Sequence, residues 1–275
     1  MKINKHPLWW FPWGTALFFI LSGQYFAYSQ GYELKTARET TLLSVGATGT
    51  VVGAILRNNR ETLKLAEVEE LDINDVLALD QLSDGTYREG ARITSDVLVG
   101  VSLAIPLTLL AFDNARADAG TLGVILLETL AINETLTGIT KALAARPRPY
   151  TYNSNNPDEI RTMRGNNFSY FSGHTSYAAA MSFFTAKVIS DYVDDPGIRA
   201  VAWTTAAILP AATGYFRYRA GKHFPTDVIT GYVVGASLGY LIPHLHQVGQ
   251  DRVQLSATVS SPPVMQPMIQ VTFVL

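Results

Sequence analysis

An all-α fold, a bundle of about six main helices, is what this sequence predicts. Two observations carry that expectation. Five uncharged runs of helical length, residues 40–56, 97–112, 173–186, 200–216 and 228–246, are separated by polar connections. A sixth segment, residues 121–145, holds Glu128 and Glu134 yet places Ile132, Leu136, Ile139 and Leu143 at helical spacing. The composition agrees: 48% of the 275 residues are hydrophobic and only 16% are charged, while mean hydropathy is +0.14. The formal charge of −2 gives no electrostatic reason to expect nucleic acid as a partner. The absence of cysteine excludes disulfides, thiolate metal sites and a cysteine nucleophile.

Residues 1–29 read as a secretory signal peptide or, failing cleavage, an N-terminal anchor. Lys2 and Lys5 precede the apolar stretch 8–21, and Ala27 and Ser29 supply the small residues expected before a cut. Residues 8–28 are also long enough to span a bilayer. Either way the chain is expected to be exported to the periplasm or cell envelope. Residues 30–250 form the helical body. Within it, the polar stretch 57–94 predicts a short helix and a turn at Ser83-Asp84-Gly85. The Asn-rich loop 150–170 favours turns over regular structure. Residues 251–275 change period: Val253, Leu255, Ala257 and Val259, then Ile269, Val271, Phe273 and Leu275, alternate around Pro262, Pro263 and Pro267, which predicts a β-hairpin appendage.

Most of the uncharged runs fall short of the about 20 residues a spanning helix needs, and they carry Gly, Ala, Thr, Pro106 and Pro210. That pattern favours a compact bundle, at most resting on a membrane surface, over a spanning one.

Three clusters carry chemistry. Lys141 and Arg148 lie seven apart, about two turns, so they share a helix face if the helix extends that far. Pro149 biases Arg148 out of the α region, leaving its guanidinium at the helix mouth. Two cations there could equally complement the helix dipole. Ser172 is suited to cap the helix beginning at Gly173, whose free N–H groups would face an anion, with His174 in the first turn as a proton donor. Arg217, His223 and Asp227 form the third cluster. Pro225 opens a helix, and Asp227, four residues after His223, could hold one imidazole nitrogen and free the other to attack. His244 and His246 read as surface residues rather than metal ligands.

Together these clusters resemble the signature of the type 2 phosphatidic acid phosphatase superfamily, shared with vanadium haloperoxidases and bacterial class A acid phosphatases. That signature runs Lys-x6-Arg-Pro, Pro-Ser-Gly-His, Ser-Arg-x5-His-x3-Asp. Lys141, Arg148, Pro149, Ser172, Gly173, His174, Arg217, His223 and Asp227 match it in order and internal spacing. Phe171 stands in place of the usual proline and Phe216 in place of the usual serine, which removes one side-chain phosphate contact.

The resemblance implies a metal-independent phosphatase, without cofactor, acting on a phosphomonoester or pyrophosphate; the apolar helices favour a lipid-linked substrate and leave a soluble monoester open. It implies that Lys141, Arg148, Ser172, Gly173 and Arg217 bind phosphate. His223, oriented by Asp227, would be the nucleophile, with His174 as acid and base. Arg146, Arg219 and Lys222 thicken the basic cluster, either as rim or headgroup charges or as purely solvated side chains. Haloperoxidase activity with vanadate, or a non-catalytic envelope role, are the competing readings.

Overall fold

The computed structural model describes residues 31–248 together with the backbone of 253–259 and 267–273. The expected signal peptide or anchor, residues 1–29, lies outside the described residues. From residue 31 to 248 the regular elements are all helices. The α-helices are α1 (Thr36–Asn58), α2 (Leu65–Glu69), α3 (Glu89–Ala104), α4 (Asp113–Ala117), α5 (Ala119–Ala144), α6 (Pro149–Tyr152), α7 (Asp158–Arg161), α8 (Gly173–Tyr192), α9 (Pro196–Arg219) and α10 (Pro225–Leu245). The helices outnumber the six expected, because α2, α4, α6 and α7 are short pieces of four or five residues in the polar connections. A 3₁₀ turn, Ile105–Ala111, extends α3 past Pro106, which has no N–H to continue an α-helix. Val253–Val259 and Pro267–Phe273 are assigned as antiparallel strands, with Val253 opposite Phe273.

Helix α8 is the hub, packed against α10, α9, α3 and α5, while α1 lies along α5. Small residues make these contacts. A Cβ placed on Gly231, Gly235 or Gly239 of α10 would fall 2.4, 2.1 and 2.3 Å from the carbonyl oxygens of Ser172, Ser176 and Ala180 on α8. On α1, Gly46 and Gly49 sit against Ala131 and Thr135 of α5 at similarly short range. Backbones that approach this closely gain dispersion contacts without large side chains, as packed membrane helices do. The apolar core gathers Leu122, Ile125, Phe184, Val188 and Ile242 around Tyr32.

The outer faces are apolar too. Val51 and Ile55 on α1, Val97 and Val101 on α3, Val201 and Ile208 on α9, and Ile229 and Val233 on α10 are all exposed. Four segments, Thr36–Asn58, Glu89–Ala111, Ala119–Tyr152 and Pro225–Leu245, are long and apolar enough to cross a membrane. An outward apolar belt of this extent marks a lipid-facing surface, so the chain is membrane-associated. These four helices are longer than the uncharged runs that suggested a bundle at most resting on the membrane. Most glycines of those runs, among them Gly46, Gly49, Gly53, Gly231, Gly235 and Gly239, are packing positions between helices.

Candidate active site

The chain's up-and-down course brings the C-terminal ends of α5 and α9 and the N-terminal ends of α3, α8 and α10 to one end of the bundle. The predicted site residues collect there. Helix α5 stops at Ala144 because Ala145 turns left-handed (φ 44°). Arg148 therefore does not share a helix face with Lys141, as the spacing had suggested. The chain doubles back instead, and extended Arg148 caps α6.

Lys141 is buried, and its Nζ donates to the carbonyls of Phe168 (3.1 Å) and Phe171 (2.6 Å), so it anchors the strand of chain leading into α8. One ammonium hydrogen remains for a ligand. Arg148 donates from Nε to the Gly165 carbonyl and from one terminal nitrogen to the Lys222 carbonyl, both at 2.9 Å. That leaves part of its fork free. Ser172 is the N-cap of α8, its backbone N–H bonded to the Asp227 carbonyl at 3.0 Å. Its hydroxyl lies 2.8 Å from that of Thr175. Gly173 follows within van der Waals range of the Lys141 stem, where a Cβ would come 3.7 Å from Cε and 3.1 Å from the Thr137 methyl. Arg217, at the end of α9, is buried, and its Nε has no hydrogen-bond partner. A buried guanidinium N–H without an acceptor is costly unless an anion is bound.

His223 departs from expectation in an instructive way. Its Nδ1 lies 2.7 Å from the backbone carbonyl of Ser169, but 3.7 Å from Asp227 Oδ2. The direct orienting partner is thus the Ser169 carbonyl, not the Asp227 carboxylate. A carbonyl only accepts, so Nδ1 carries the proton and Nε2 keeps its lone pair. Asp227 acts one step back: Oδ2 takes the Ser169 hydroxyl (2.5 Å) and the Phe224 N–H (2.9 Å), fixing the segments on both sides of the imidazole. Burial, reinforced by Lys141, Arg148, Arg217 and His174, holds the His223 pKa well below 6.5. The ring is therefore neutral at ordinary pH.

His174 lies with its Nε2 3.0 Å from Asp96 Oδ1. Loss of water contact and the nearby Arg217 push its pKa down to about 4, against the opposing pull of Asp96.

The remaining cations are not alike. Arg146 is no rim charge. It donates to Asp227 Oδ1 (2.6 Å), Asp80 Oδ2 (2.7 Å) and the Thr226 hydroxyl (3.0 Å), and its guanidinium lies 4.1 Å from the Phe224 ring centroid. Asp80, fully buried, also takes the Thr226 N–H and hydroxyl. The 57–94 stretch thereby clamps the start of α10. Arg219 turns outward onto Tyr215. Lys222 rests over the Tyr150 ring at 4.4 Å, with its pKa lowered to about 8 by burial and the neighbouring Arg148. Phe171 is buried, and its peptide bond with Tyr170 is cis. Phe216 packs edge-on against Tyr215 and offers no polar contact.

Sequence reasoning missed Asp96, Ser169, Asp80 and the part played by Arg146. It also misplaced His246, which is not a surface residue. His246 is fully buried, its Nδ1 on the Ile242 carbonyl (2.7 Å) and its Nε2 2.9 Å from Glu128 and 3.6 Å from Glu39. Burial disfavours the imidazolium, but the two carboxylates outweigh it and raise its pKa.

The predicted site residues from three separated stretches thus gather at one end of the bundle around a buried imidazole held by a main-chain carbonyl. Residues 122–250 match the PAP2 superfamily model, a span that includes every predicted site residue from Lys141 to Asp227. Residues 122–250 thus carry a PAP2 superfamily domain. It is similar to a lipid A 4'-phosphatase from Porphyromonas gingivalis, with 26% identity over 133 residues, 47% of this chain and 52% of that protein. The match spans about half the length of that relative. A transmembrane PAP2-type phosphatidylglycerolphosphate phosphatase from Bacillus subtilis aligns at 17% identity with a TM-score of 0.42, over 76% of this chain and 92% of that one.

Proposed function

We propose that this chain is a membrane-associated phosphatase that hydrolyses a lipid-linked phosphomonoester or pyrophosphate through a phosphohistidine intermediate. The observation that carries the reading is His223: neutral, buried, its Nδ1 proton committed to the Ser169 carbonyl, among Lys141, Arg148 and Arg217. In this scheme the phosphoryl oxygens take the open valences of Lys141, Arg148 and Arg217 and the helix start at Ser172 and Gly173. Their charge stabilises the transition state. His223 Nε2 attacks phosphorus in line, and the bond to the leaving oxygen breaks as His174 gives it a proton. His174, now neutral, takes a proton from water. The resulting hydroxide attacks phosphorus, the P–N bond breaks, and its electron pair returns to His223. No step in this scheme draws on a metal or cofactor. Residues 1–29 support export to the cell envelope, with the reaction on its outer side.

Support for a lipid substrate comes from the four apolar helices and from the named relative, which acts on lipid A. The test uses purified protein assayed with lipid phosphates in detergent and with a soluble monoester. His223→Ala should lose nearly all turnover and all acid-labile covalent phosphate, and orthovanadate should inhibit the native protein while chelators leave it active. Normal turnover in His223→Ala would end the covalent scheme.

A further inference from the structure

Asp96 belongs to no part of the signature, yet it reaches into the site from the first half of α3. Its Oδ1 lies 3.0 Å from His174 Nε2 and accepts from an Arg217 terminal nitrogen at 3.3 Å, while Oδ2 takes Arg92 at 2.7 Å. The preceding residue, Ser95, is buried with its hydroxyl 3.4 Å from the same Arg217 nitrogen. Two consecutive residues of α3 therefore grip a proposed phosphate ligand, and one of them also holds the proposed acid.

We infer that Asp96 is a positioning residue of this site, fixing the His174 ring and the Arg217 fork for delivery of a proton to the leaving oxygen. The inference rests on the phosphatase reading above. A carboxylate only accepts, so a hydrogen on His174 Nε2 points at Asp96, and Nδ1 becomes the nitrogen that gains and gives the catalytic proton. The same carboxylate leaves the Nε of Arg217 with no partner, so that N–H remains for a phosphoryl oxygen.

The groups around His174 explain why such a residue is needed. Arg217 faces it from α9, Arg148 from the loop after α5, and His223 from the turn before α10, while Asp96 and its partner Arg92 come from α3. The cations disfavour imidazolium, and Asp96 is the carboxylate opposing them. Its side chain is 39% exposed, so water screens part of this effect. The sign follows. The acid form of His174 exists below its pKa and is lost as pH rises through it, so removing the Asp96 charge must move that loss to lower pH.

The experiment compares native protein with Asp96→Asn, Asp96→Ser and Asp96→Glu across the acid-to-neutral range, with His223→Ala in parallel. Two neutral variants are used so that the outcome does not hang on one of them folding. The neutral variants should lose about tenfold to a hundredfold in kcat, a fraction of what general acid catalysis supplies. KM should change little, the alkaline limb of kcat should move to lower pH, and Asp96→Glu should recover part of the rate with the limb in place. An inactive His223→Ala beside neutral Asp96 variants with native kcat and limb would overturn the inference while sparing the phosphatase reading. Faster turnover or tighter phosphate inhibition in those variants would overturn it as well, by showing the carboxylate to be a competitor for the pocket. Activity in His223→Ala would instead remove the reading on which it rests.

Discussion

Gly231→Ala tests whether helix packing sets the geometry of the proposed chemistry. Gly231 lies in the second turn of α10, where an added Cβ would fall 2.4 Å from the Ser172 carbonyl oxygen and 3.4 Å from the Ser172 Cβ. The oxygen cannot swing aside, because it already accepts the Ser176 N–H in the first turn of α8 at 3.0 Å. Restoring ordinary contact requires the two helix starts to part by roughly 0.6–1 Å, an overpacking of the kind that costs about 1–3 kcal/mol. Alanine's helix preference over glycine returns about 1 kcal/mol of that, so the net loss of stability should be small. The site fares worse. Ser172 N–H is bonded to the Asp227 carbonyl across this same seam, and the seam separates the proposed phosphate cradle from the proposed nucleophile. A displacement near 1 Å at a reacting centre costs about a hundredfold in rate. The assay is kcat for phosphate release in detergent, paired with thermal unfolding. Gly123→Ala serves as control, because a Cβ on Gly123 meets nothing within 4 Å. Gly231→Ala should remain folded and lose about two orders of magnitude in kcat, with Gly123→Ala near native. Native turnover in folded Gly231→Ala would refute the idea that this seam sets the site's alignment.

Asp227→Ala should destabilise the fold by about 3–5 kcal/mol, because it takes one of two carboxylates from Arg146 and leaves the Ser169 hydroxyl and Phe224 N–H without their acceptor. Asp227→Asn, which keeps one acceptor oxygen, should lose less, and a melting temperature unchanged in both would contradict the clamp. The pH dependence has a definite sign. His223 attacks only when neutral, the neutral form exists above its pKa, and that pKa is held well below 6.5. The acid limb of kcat/KM should therefore lie well below 6.5, and a limb at the ordinary histidine value would show the ring to be less buried than described.

The long helices were readable because their signal is local. Uncharged runs between polar connections need no knowledge of the fold, and each run overlaps a helix of 16 residues or more. The nine signature positions were readable for another reason: their spacing is fixed by the helix ends that present them. What escaped was set by contacts across large separations. Asp96 and His174 are 78 residues apart, and Arg146 and Asp80 are 66 apart. Nothing in a string of residues distinguishes an aspartate that will face an arginine from one that will face water. The acceptor of His223 Nδ1 is a main-chain carbonyl, a group every residue has, so no side-chain pattern could mark it. His246 looked like a surface histidine near a polar tail, yet it closes onto Glu39 and Glu128 from α1 and α5. One miss was avoidable. Gly231, Gly235 and Gly239 recur every four residues along one face of α10, a spacing that signals close helix packing in lipid and not a weak span.

The distribution of charge explains how one end of an apolar bundle can select an anion. Arg146 is neutralised by Asp80 and Asp227, and Arg92 is shared between Glu89 and Asp96. Lys141 and Arg148 are bonded to carbonyl oxygens, which satisfy N–H groups without cancelling charge. Among the described residues neither has a carboxylate within ion-pair distance. Arg217 has one, the partly exposed Asp96, at 3.3 Å. Near His223, Lys141 and Arg148 thus keep uncompensated positive charge and Arg217 is only partly offset, and a low-dielectric setting would strengthen the pull of that charge on a phosphoryl group. The cations that pair with buried carboxylates hold the loops. Those that pair with carbonyls are left with charge to spend on a ligand. That division follows from which acceptors the fold supplies to each cation, and the count of basic residues alone could not have drawn it.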